Sequence, residues 1–60
     1  VKKKIDAWRK HVQARIDYWV KAEACAAAAK LDADAAWCAY LRSHFEELLQ
    51  CLDELERAAA

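Results

Sequence analysis

Lys30-Leu31-Asp32-Ala33-Asp34 is the stretch of this 60-residue chain at which a helix can stop. Strong helix formers dominate both sides, and the chain has no glycine and no proline anywhere. Every other segment therefore favours helix. Within the stretch, Lys30 suits the last turn of a first helix, where its charge meets the C-terminal dipole. Asp32 or Asp34 suits the start of a second, accepting a bond from an otherwise unpaired N–H. Leu31 can pack over the new first turn as a hydrophobic staple. A missing glycine weighs against a tight helix end, because the left-handed residue there is usually Gly.

Apolar spacing supports two helices. Ile5, Trp8, Val12, Ile16, Trp19, Ala22 and Ala26 recur at steps of three and four, the signature of one helix face. Cys38, Leu41, Phe45, Leu48, Leu52 and Leu55 do the same as a heptad seam. Alternation of period two is missing, so strands are not expected. The predicted architecture is all-α: one antiparallel hairpin, with helices over about 2–30 and 34–58 and a turn at about 31–33. An alternative keeps all 60 residues in one helix, paired antiparallel with a second chain, with the same neighbours.

Charge supports the fold-back. Residues 1–31 carry eight basic and three acidic side chains, net +5; residues 32–60 carry two and seven, net −5. A bend at Leu31/Asp32 pairs residues whose numbers sum to about 63. Trp8 then meets Leu55, Val12 meets Cys51 or Leu52, Ile16 meets Leu48, and Trp19 meets His44 or Phe45. Cys25 meets Cys38 and Ala26 meets Trp37. Lys2, Lys3 and Lys4 are expected beside Asp53, Glu54 and Glu56. Exposed ion pairs of this kind contribute ~0–1 kcal/mol each, so they select orientation more than they stabilise it.

Sixty residues bury a small core, and association is a common remedy at this size. The apolar faces are wide: Tyr18-Trp19-Val20 are consecutive, and Trp37, His44 and Cys51 flank the second seam at seven-residue steps. Such faces pack against more than one neighbour. The expected partner is a second copy, giving a homodimeric four-helix bundle. Its assembly core would comprise Trp8, Val12, Ile16 and Trp19 from the first helix, with Trp37, Leu41, Phe45, Leu48, Leu52 and Leu55 from the second. The three tryptophans read as inward anchors.

The segment Leu31-Asp32-Ala33-Asp34, followed by Cys38, Leu41, His44, Glu47, Leu48 and Cys51, resembles the turn and second helix of the repressor-of-primer family of plasmid copy-number regulators. The resemblance covers about a third of the chain. It implies a helical hairpin that dimerises into a four-helix bundle and binds paired RNA loops. The family's RNA-contacting face uses polar and aromatic side chains; here its centre would fall near Val12, Ile16 and Val20, which are aliphatic. The likeness therefore supports the architecture and speaks against the RNA role.

Candidate chemistry is sparse. Cys25 and Cys38 near the bend could form a disulfide, subject to its geometric demands. His11, His44, Glu47 and Cys51 are legitimate metal ligands that a twofold axis could double, but no paired CxxC or HxxxH occurs; haem held between His11 or His44 of two chains would need small residues around it. A Cys51 nucleophile with His11 or His44 lacks any glycine-rich oxyanion loop, so no enzyme and no cofactor is expected. Lys2, Lys3, Lys4, Arg9, Lys10 and Arg15 could meet phosphate, yet the zero net charge of the chain gives nucleic acid no overall attraction. No run of about 18 apolar residues could span a bilayer. Three cysteines are an odd number, which fits a reducing, cytoplasmic setting or an intermolecular bond. A start at Val1 and a narrow, Ala-rich composition fit a fragment, a processed chain or an engineered bundle as well as a natural coiled coil. The expected function is assembly as a scaffold module. The alternatives are an RNA-binding regulator, a module receiving another protein's helix, and a metal-dependent designed bundle.

Overall fold

A computed structural model describes residues 2–59 and contains two helices, α1 (Lys2–Ala28) and α2 (Asp32–Ala59). They pack as an antiparallel hairpin with extents of 45 × 14 × 9 Å. No strand occurs among the described residues.

The turn is made without glycine. The Leu31 N–H donates to the Ala26 carbonyl at 2.9 Å, and the Lys30 N–H donates to the Ala27 carbonyl at 3.0 Å. Together these bonds form the Schellman motif, which satisfies carbonyls that the end of α1 would leave unpaired. The motif needs a left-handed residue, and Lys30 takes that place with φ of 60°. A side chain with a Cβ adopts this conformation at a cost of roughly 1–2 kcal/mol. Lys30 is thus beyond the last turn of α1 and not inside it, contrary to the expectation from its charge.

The start of α2 also differs from expectation. The Ala35 N–H donates to the Leu31 carbonyl at 2.9 Å, which makes Leu31 the N-cap residue. Asp32 and Asp34 lie one and three places inside the helix, so α2 begins two residues earlier than predicted. Their carboxylates act on the positive end of the helix dipole. Leu31 is 51% exposed and does not staple the turn.

The seam between the helices is regular. Along α1 the buried or half-buried positions include Ile5, Arg9, Val12, Ile16, Trp19, Glu23 and Ala26, at steps of four and three. Along α2 they include Ala35, Cys38, Arg42, Phe45, Leu49, Leu52 and Glu56, at steps of three and four. Val12, Ile16 and Leu52 form the central cluster, with Phe45 and Leu49 against it. Ile5 is the most enclosed side chain, 2% exposed. The predicted heptad of α2 used Leu41, Leu48 and Leu55; the seam instead takes the neighbours Arg42, Leu49 and Glu56. Those leucines are displaced to one side of it.

The seam itself accounts for the bend. Ala35, the first seam position of α2, follows Ala26, the last of α1, at a step of nine residues. On an unbroken helix nine residues make two and a half turns. The two apolar stripes would then look in opposite directions, and a hairpin resolves the conflict.

Candidate functional site

Two charged rungs cross the seam. Near the open end, the Arg9 guanidinium donates to Asp53 at 2.9 Å and to Glu56, and also reaches Asp6 on its own helix at 3.4 Å. The hydrogen bond to Glu56, then that to Asp53, holds the Arg9 pKa above its ordinary value, against the opposing effect of burial. Near the turn, Arg42 donates to Glu23 at 3.2 Å and to Glu46 at 3.0 Å. Arginine stands on α1 in one rung and on α2 in the other.

These rungs correct the expected pairing of charges. Asp53 and Glu56 bind Arg9, and Lys2, Lys3 and Lys4 make no ion pair among the described residues. The register explains it. Cross-helix partners have numbers summing to 62 or 65, so Lys4 is level with Ala59 and lies beyond the acidic cluster.

The rungs also define two unlike sides of the hairpin. Asp6, Gln13, Glu46 and Asp53 occupy one. The other is mainly apolar, with Arg15 among its positions. Trp8, Val12, Leu48, Cys51, Leu52 and Leu55 line a groove of about 310 Å3 along it. Seven-residue steps extend this side toward the turn through Leu41 and through His44 to Trp37. Trp8 and Leu55 are 55% and 47% exposed, and Leu48 39%. The inward anchoring expected of Trp8 and Trp37 is therefore not met within one chain; Trp19 alone of the three is half-buried. Trp37 stacks on Tyr40 with ring centroids 5.6 Å apart, and Tyr40 stacks on His44 at 6.5 Å. This aromatic row runs along the outer flank of α2, close to the apolar side. No sequence signal separated it from the core, because the period of the stripe is the same on either flank.

The candidate thiols and ligands are not gathered. Cys25 and Cys38 are free thiols, Cys25 exposed and Cys38 buried. Ala26, not Cys25, is the residue that enters the seam, so the proposed bridge is absent. His11, His44, Glu47 and Cys51 are all exposed, and no group of three or more metal-ligating side chains is assembled among the described residues. No described helix is long and apolar enough to cross a membrane. Comparison with known proteins finds no matching family model, no similar curated protein and no similar solved structure.

Proposed function

We propose that the chain is a self-associating hairpin, a structural module whose work is to form a dimeric four-helix bundle through its apolar side. The observation that carries this reading is the exposure of Trp8, Leu48 and Leu55 around one groove. Contiguous apolar surface of this kind marks an interaction site. Shape supports it. The hairpin is a single layer of two helices, and stable domains bury an apolar face between two layers. Its radius of gyration is 13.9 Å, where a compact 60-residue chain has about 10 Å.

Area supports the same reading. The hairpin exposes 4710 Å2, whereas a compact protein of this mass exposes about 4,000 Å2. The surplus, roughly 700 Å2, is close to the ~800 Å2 that each partner of a stable complex covers. A second copy fits as occupant because it carries the same face with the same opposed charges on its two helices. Sedimentation equilibrium between 1 and 200 μM tests the proposal. The expected mass at the upper concentrations is twice 6.9 kDa; a monomer throughout would refute it.

A further inference from the structure

The proposed dimer has two ways to close, and the charges choose between them. A twofold axis parallel to the helices puts both turns at one end and lays α1 of each copy on α2 of the other. An axis across the helices puts the turns at opposite ends and lays α1 on α1. We infer that the dimer closes in the first way, with both turns together and every neighbouring pair of helices antiparallel and opposite in charge. The inference rests on the self-association proposed above and adds its geometry.

Three observations support it. First, the halves of the chain carry net charges of +5 and −5. Stacking α1 on α1 and α2 on α2 sets like against like, whereas stacking α1 on α2 alternates the signs around the bundle. Like-charge juxtaposition across an interface is a strong discriminator against the wrong arrangement. Second, Arg15 is the midpoint of α1 and shares the apolar side with Trp8 and Ala22, seven residues away on either hand. With the helices fully overlapped, the crossed arrangement brings Arg15 of one copy against Arg15 of the other at the dyad. The parallel axis instead sets Arg15 opposite Leu48 of the second copy and level with its Glu47, since 15 and 47 have the same sum as the Arg9–Asp53 pair. Third, the bulk matches. At equal heights Trp8 meets Leu55, and Ala22 meets Leu41, so each level of the new core repeats the level beneath it.

Isotope-filtered NOE spectroscopy on a mixture of labelled and unlabelled chains reads the arrangement directly, with the unaltered protein. Contacts between the Trp8 ring of one copy and the Leu55 methyls of the other are expected. Contacts from Trp8 to Ala22 of the other copy would overturn the geometry while leaving self-association intact. A monomeric mass at the same concentration would overturn both. A spin label on a single cysteine introduced by Ala33→Cys, with the three native cysteines replaced by alanine, gives a second reading once circular dichroism and mass match the parent. The expected label separation is below about 30 Å, the width of a bundle of helices 8–10 Å apart plus the label arms. A separation at or beyond the 45 Å length of the hairpin would refute the shared end.

Discussion

The two sides of the hairpin are built from the same two helices and are chemically unlike. On one, Asp6, Glu46 and Asp53 surround the arginines of the rungs. On the other, Trp8, Leu48, Cys51 and Leu55 surround a groove. The first side ends at water: its charges are paired and need no further neighbour. The second leaves large apolar groups half exposed. The contrast separates the contacts that fold the chain from the surface left over once it has folded. The seam and its rungs define the hairpin, and the apolar side is surplus to that task.

The largest expected effect falls on the seam, which both sides share. Leu52→Ala removes a buried member of the central cluster, and such truncations cost roughly 2–5 kcal/mol. Thermal denaturation followed by circular dichroism should show a drop in Tm of well over 10 °C; an unchanged Tm would mean that the core lies elsewhere. Next is Leu55→Glu, which places a charge on the apolar side, opposite Trp8 of the second copy, without touching the seam. It should weaken association about 100-fold, the ~2–3 kcal/mol of one large buried side chain. Glu46→Ala, on the opposite side, should leave the association constant within a factor of about two, because exposed substitutions shift free energies by about 0.5 kcal/mol or less. Sedimentation of the two variants together either breaks the contrast between the sides or sharpens it.

Smaller effects concern the turn and the rungs. Lys30→Gly relieves the left-handed lysine and should stabilise by up to about 1 kcal/mol; a loss of stability would show that the φ of 60° is not strained. Glu23→Ala removes one rung near the turn. Its cost should be only ~0.2–1 kcal/mol, as for other partly exposed pairs, and should shrink in 1 M salt. A salt-independent loss would point to packing of the Glu23 stem in place of its charge.

Much of this fold was legible in the residues. The absence of glycine and proline, the three-and-four spacing and the charge split are enough for two antiparallel helices and a bend near Leu31. The fine structure of the bend was not. A Schellman turn normally advertises itself with glycine, and Lys30 gives no such sign. The seam of α2 was displaced for a related reason. Leu41, Leu48 and Leu55 make the more apolar heptad, and a count of apolar residues prefers them. The actual seam admits Arg42 and Glu56 because each finds an opposite charge across the interface, and that pairing exists only once the register is known. The tryptophans expected to point inward are exposed within one chain for a like reason: Trp8 follows the apolar flank and Trp37 the outer flank of α2, not the seam.

The inverted polarity of the rungs has one more consequence. Arg9 and Glu23 are fourteen residues apart, and so are Arg42 and Glu56. If the bend formed seven residues earlier or later, α2 would be shifted along α1 by two heptads and the apolar contacts would repeat in kind. The shift would then set Arg9 against Arg42 in one direction and Glu23 against Glu56 in the other. Leucines and valines tolerate such slippage; these four residues do not. They act as a proofreader of alignment, rejecting the misfolded frames that a purely greasy interface would accept.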